Sequence, residues 1–210
     1  MARRTKAEAA ATREALLDAA EDMFMEHGVA RTSLEQIARH AGMTRGAVYW
    51  HFKNKSDIFR AMLERVRMPF QDLVDEIEAL EQDVSSLEAI RLACLNGFSR
   101  FEQPRYRRVH SILIHRCEFF SDIDPIAMQR EIADECRDSL QERFAEAFEQ
   151  QQLHQDISVQ VATDLLQTML GGLFHEWLRD PERFSIRERG ETLINHLLAL
   201  LQRPPSPGSS

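Results

Sequence analysis

Between Ala7 and Gln202 the apolar residues of this chain recur at three- and four-residue intervals, in runs that open at Ser, Thr or Asp and close at Gly or Pro. That spacing gathers them on one face of a helix. In the first run Leu16, Ala20, Met23, Phe24 and His27 form one stripe, and Gly28 ends it. Only 8 Gly and 7 Pro occur in 210 residues, with three of the prolines among the last seven. A chain of many short strands needs more turn residues than that. The pattern therefore predicts an all-α fold of about nine helices. No run approaches the roughly 18 consecutive apolar residues of a membrane-spanning helix.

The start and stop signals divide the chain further. Thr32 and Ser33 precede Glu35 and Gln36 by three residues each, which reads as two overlapping capping boxes. A short helix runs from there to His40 and breaks at Ala41-Gly42. Thr44 caps a second short helix, Arg45 to His51. Asn54 or Ser56 starts a long helix over 57–82, with Pro69 inside it to kink or split it. Helices are predicted over 86–101, 104–119, 125–151, 158–179 and 185–202. Residues 204–210 read as a disordered tail. The implied organisation is a helix-turn-helix domain over 1–56 and a larger helical domain over 57–203.

Charge follows the same division. The net charge is −8, which argues against nucleic-acid binding by the chain as a whole. Residues 1–67 carry 12 Arg and Lys against 9 Asp and Glu, a net of +3, whereas residues 68–210 carry 14 Arg against 25 acidic residues, a net of −11, and no lysine. A mildly basic head on an acidic body suits a DNA-contacting module joined to a domain that does not touch DNA. The three cysteines, Cys94, Cys117 and Cys136, are odd in number and far apart, which predicts reduced thiols. The N-terminus has no signal-peptide pattern, so the cytoplasm is the expected address.

The stretch from Thr32 to Lys55 carries the functional signal. Two short helices joined by a tight turn at Gly42, with Ile37, Ala38, Ala41 and Val48 as small contacts between them, make a helix-turn-helix. The second helix is too short to be stable alone, and makes sense as a probe held against a scaffold. Thr44 and the N–H groups beside it can meet a phosphate. Arg45 can reach a guanine edge, and Gly46 keeps the backbone close to DNA. Tyr49, Trp50 and His51 combine flat apolar contact with polar tips. Lys53 and Lys55 follow at positions suited to phosphates, and Thr32 and Ser33 stand at the start of the first helix. The expected partner is double-stranded operator DNA.

These residues resemble a family. Thr32, Ile37-Ala38, Ala41-Gly42-Met43-Thr44-Arg45-Gly46, Tyr49, His51-Phe52 and Lys55 look like the DNA-binding domain of TetR-family transcriptional regulators. The N-terminal Arg3-Arg4-Thr5-Lys6 and the run from Ala47 to Lys55 resemble the AcrR, TtgR and NalD type, which represses multidrug efflux operons. The resemblance implies an all-helical homodimer whose C-terminal domain holds a ligand pocket and an interface built from the last two helices. It also implies pocket candidates for a small hydrophobic, drug-like inducer. These are Asn96, His110, Ser111, Ile114, Cys136 and Leu140, with Met169, Leu170 and His175 on a later helix. Several relatives carry an acidic residue where this chain has Gly171, so their ligand preference does not transfer.

The C-terminal pattern agrees with a paired molecule. Leu193, Leu197 and Leu200 stripe the last helix, and Leu165, Leu173 and Trp177 stripe the one before it, which suits a four-helix interface across a two-fold axis. The segment from His110 to Glu118 gathers nitrogen, sulfur and oxygen donors, but on different helix faces, so no metal is expected. No Gly-rich phosphate loop, GxSxG or HExxH occurs, and neither an enzyme nor a cofactor is expected. A small-molecule enzyme on an all-helical frame, a protein-interaction module and an activator of the same fold are the rival readings.

Overall fold

The computed structural model describes residues 6–80 and 83–204. The basic stretch 1–5, residues 81–82 at the end of the predicted long helix, and residues 205–210 of the tail lie outside the described residues. Among the described residues there are ten α-helices and no strand. In chain order they are α1 (Lys6–His27), α2 (Leu34–His40), α3 (Arg45–His51), α4 (Lys55–Glu64), α5 (Phe70–Leu80), α6 (Ser86–Phe101), α7 (Pro104–Ser111), α8 (Pro125–Glu149), α9 (Val159–Arg179) and α10 (Ile186–Leu201). No described helix is long and apolar enough to cross a membrane.

Two compact units account for these elements. The first holds residues up to Arg67 together with Pro104–Gln129; the second holds Met68–Gln103 and the chain from Arg130 onward. The helix-turn-helix unit is therefore larger than the stretch 1–56 suggests, for a packing reason. Ile58, Phe59 and Met62 of α4 are buried in the same apolar cluster as Leu16, Leu17 and Phe24 of α1, and Val109 of α7 joins them. The Phe24 and Phe59 rings meet edge to face, 6.0 Å between centroids.

The helix expected over 57–82, to be kinked or split at Pro69, is split into two helices. Pro69 has no N–H to donate, and the residue before it is pushed out of the α region. α4 stops at Glu64, α5 begins at Phe70, and the unit boundary falls between Arg67 and Met68. The helix expected over 104–119 is also shorter. α7 ends at Ser111 and continues as one π-helical turn, Ile112–Arg116, whose Arg116 carbonyl accepts from Val29 N–H at 2.9 Å.

In the second unit α6 packs between α5 and α10. Leu73 Cδ1 would lie 3.4 Å from a Cβ placed on Gly97. The Phe101 and Phe174 rings meet at a tilt, 4.5 Å between centroids, and Trp177 is only 2% exposed. Arg143 of α8 holds Glu78 at 3.0 Å and Glu146 at 3.1 Å. The serines before α6, α9 and α10 each cap their helix: Ser85, Ser158 and Ser185 accept from the N–H three residues on.

Candidate nucleic-acid interface

The site is built from local chemistry. Ser33 Oγ accepts from Gln36 N–H at 3.2 Å while Gln36 Oε1 accepts from Ser33 N–H at 2.7 Å, a reciprocal cap that starts α2. Only one of the two expected boxes forms. Thr32 is 2% exposed, and its hydroxyl donates inward to the Gly28 carbonyl at 2.8 Å. Its side chain is therefore turned inward, at the edge of the groove beside α3.

α2 ends where Gly42 takes φ +66°, a conformation that L side chains avoid. Gly42 N–H donates to Arg39 O and Met43 N–H to Ala38 O, closing the last turn of α2 in a Schellman motif. The chain then reverses into α3, capped by Thr44, whose Oγ1 accepts from Ala47 N–H at 3.2 Å. α3 is anchored by Val48, which is fully buried, and by Phe52 just beyond its end. The rest of its surface is free to face a partner: Arg45 has a 74% exposed side chain and Trp50 is 73% exposed, with Gly46 and Tyr49 beside them. Trp50 therefore does not brace the core. Its ring meets the half-buried His51 ring edge-on at 4.5 Å.

Gly46 has no internal reason to be glycine. A Cβ there would come no nearer than 3.9 Å to Thr44 Oγ1. The backbone is therefore open to the outside at that point, beside the exposed Arg45, Tyr49 and Trp50.

A groove beside α3 is lined by Arg31, Ser33, Glu35, Tyr49, Lys53 and Lys55 among others. Lys55 departs from expectation. Its ammonium donates to the Val29 carbonyl at 2.8 Å and the Ala30 carbonyl at 3.0 Å, and lies 4.5 Å from the Phe120 ring centroid. Desolvation lowers its pKa. Lys55 clamps the α1–α2 connection, and its charge is spent on the fold before any phosphate is met. Lys53 stays exposed. Sequence reasoning passed over Arg31 and read Glu35 only as a capping-box residue. Glu35 accepts from the Tyr49 hydroxyl at 2.9 Å and sits 3.3 Å from Arg45 Nε.

In the second unit α9 and α10 expose an apolar groove lined by Val161, Leu165, Thr168, Met169, Leu193, His196, Leu197 and Leu200. Four of the six residues expected at a dimer interface line it. Leu173 and Trp177 do not: both are buried within their own unit, so their apolar area is already covered. Met169, one of the ligand candidates, lines this groove as well.

The remaining ligand candidates divide between the units. His110, Ser111 and Ile114 belong to the first. His110 Nδ1 lies 2.8 Å from the Tyr106 carbonyl, and burial lowers its pKa. Asn96, Cys136, Leu140, Leu170 and His175 belong to the second. Asn96 donates to Glu76 at 3.1 Å, and burial pushes the Cys136 thiol up to about 11. Leu140 has no accessible surface, and His175 is exposed. Among the described residues no group of three His, Cys, Asp or Glu side chains is placed to hold a metal ion.

The arrangement has known counterparts. Residues 16–62 match the profile of bacterial regulatory proteins of the tetR family, and residues 85–203 match the C-terminal region of MAATS-type transcriptional repressors. The chain is 35% identical over 208 residues to the HTH-type transcriptional regulator TtgR of Pseudomonas putida, covering 98% of this chain and 99% of that one. It is 34% identical over 205 residues to the HTH-type transcriptional repressor BepR of Brucella suis, covering 96% and 97%. Among solved structures, NalD, the secondary repressor of the MexAB-OprM multidrug efflux pump in Pseudomonas aeruginosa, superposes with a TM-score of 0.80 at 36% identity, covering 94% of this chain and 99% of that one. The SmeT–triclosan complex superposes with a TM-score of 0.79 at 31% identity, covering 95% and 100%.

Proposed function

The chain belongs to the tetR family of bacterial regulatory proteins, and from that premise we propose that it is a homodimeric, cytoplasmic repressor of a multidrug efflux operon, released from its operator by small hydrophobic compounds. It is a transcriptional regulator and not an enzyme. The observation that carries the DNA-binding part is the outer face of α3: a capped, seven-residue helix held by one buried valine, presenting Arg45, Tyr49 and Trp50 around a bare Gly46. Such a helix fits a major groove, with Arg45 available for a guanine edge and Ser33, Thr44 and Lys53 flanking it for phosphates.

The efflux and ligand parts rest on the relatives. NalD is a repressor of a multidrug efflux pump, and SmeT was solved with triclosan. The open α9–α10 groove supports dimerisation, because Leu165, Leu193 and Leu200 leave apolar area uncovered there. Release by ligand requires differential affinity: a compound that binds the DNA-competent and DNA-incompetent conformers equally shifts nothing.

The test is a mobility-shift titration on duplex DNA from upstream of the protein's own gene, with and without triclosan. Retarded duplex that triclosan sets free is the expected result. No retardation at low salt would refute the operator reading, and retardation indifferent to triclosan would refute release by that class of ligand.

A further inference from the structure

The one carboxylate among the residues of α2 and α3 is Glu35, and it stands on the surface assigned above to DNA. An acidic side chain there is repelled by every phosphate that approaches, so it weakens binding to any duplex unless it does something in return. The geometry shows what it holds. One oxygen, Oε1, accepts from the Tyr49 hydroxyl at 2.9 Å and lies 3.3 Å from Arg45 Nε. The Arg45 guanidinium in turn rests over the Tyr49 ring, 5.4 Å from its centroid. Three side chains from two helices thus form one cluster, although all three are substantially exposed.

The choice of nitrogen matters. A carboxylate on Nε leaves the two Nη groups as the outward pair, and those are the donors a guanine O6/N7 edge takes in bidentate fashion. A freely rotating arginine satisfies a phosphate as readily as a base. One steered by a fixed carboxylate loses some of that choice.

We propose that Glu35 is a specificity-determining positioning residue: it aims Arg45 through Nε, fixes Tyr49 through its hydroxyl, and by its charge penalises duplexes that offer phosphates without the matching base edge. The proposal rests on reading α3 as the helix that meets DNA. Glu35 is held ionised by its own backbone N–H and then by the Tyr49 hydroxyl, which keep its pKa below the ordinary carboxylate value, so the charge persists throughout the neutral range.

The experiment uses the full chain and two duplexes of equal length: one enriched by wild-type protein from a random-sequence pool, and a scrambled competitor. Their affinity ratio is measured by fluorescence anisotropy for wild type, Glu35→Gln, Arg45→Ala and the double variant. Glu35→Gln keeps an acceptor for Tyr49 and removes the charge. It should bind the scrambled duplex more tightly, with a steeper salt dependence, and lower the ratio about tenfold, the scale of one base contact. In the Arg45→Ala background the same change should leave the ratio almost unmoved, because the side chain it aims is gone. Tyr49→Phe, which leaves α2 untouched, should lower the ratio in the same direction by less.

Thermal melting identifies any variant that fails to fold, and Tyr49→Phe then carries the test. An unchanged ratio in Glu35→Gln, or an equal fall with and without Arg45, overturns the assignment of Glu35 while leaving DNA binding intact. A wild-type protein that enriches no duplex overturns the DNA reading and this proposal with it.

Discussion

The ring of Phe98 occupies the space in which a side chain at Gly190 would begin: a Cβ built there would lie 2.5 Å from Phe98 Cε2. α6 and α10 make contact at that point, both positions are buried, and the obstacle is an aromatic ring that cannot bend aside. Gly190→Ala should therefore overpack the second unit and cost about 1–3 kcal/mol. Gly171→Ala meets nothing within 4 Å and should instead stabilise α9 by about 1 kcal/mol. Thermal melting of the two variants checks the opposite signs.

Arg65 is the basic partner of a nearly buried carboxylate. Its Nη1 lies 2.7 Å from Glu21 Oε1, and Glu21 is 3% exposed. Desolvation raises the Glu21 pKa above its ordinary value, and Arg65 pulls it back. Arg65→Ala should cost about 3 kcal/mol at neutral pH, the low end for stripping one partner from a buried pair, since Arg105 Nε remains 3.7 Å from the same oxygen. The sign with pH follows from the raised value. The folded variant binds a proton at Glu21 more readily than the unfolded chain does, so its stability recovers as pH falls through that raised pKa and is lost again as pH rises. Denaturation midpoints of both proteins across the mildly acid range should converge toward low pH.

Leu193 and Leu197 line the groove proposed to close in a dimer. Leu193→Asp with Leu197→Asp would place two carboxylates on each half of a two-fold contact. Sedimentation should find monomers with unchanged helical content. A persisting dimer would put the interface elsewhere.

Gly46→Ala separates folding from recognition. Alanine favours a helix by about 1 kcal/mol over glycine, and the nearest neighbour at 3.9 Å leaves room for the methyl group. The variant should melt at a slightly higher temperature yet bind duplex DNA more weakly, because the methyl group stands where the backbone is bare. Equal or tighter binding would mean that nothing approaches α3 at that point.

The parts of the fold that sequence reasoning reached are those set by neighbours within four residues. The Ser33–Gln36 cap, the turn at Gly42, the Thr44 cap and the serine starts of α9 and α10 all depend on local hydrogen bonds. What escaped depends on partners far along the chain. Thr32 and Ser33 look alike in sequence, but Thr32 is buried, its hydroxyl also 3.4 Å from the Met23 carbonyl nine residues back. Lys55 reads as a phosphate ligand until Val29 and Ala30 claim its ammonium. Leu173 and Trp177 share the helical stripe of an interface, and periodicity cannot tell a face turned to its own core from one turned to a second subunit. Glu35 meets Tyr49 fourteen residues away across the turn, a pairing that no helical spacing encodes.

The central claim is that α3 enters the major groove twice in a paired molecule. Dimethyl sulfate reads it most directly, because it methylates guanine N7 on the floor of that groove. On the enriched duplex, the account predicts two patches of protected guanines, about one helical turn of 10 bp or a small multiple of it apart, with protection at the Arg45-contacted guanines lost in Arg45→Ala. Bound DNA with fully reactive guanines, or with a single protected patch, would contradict it.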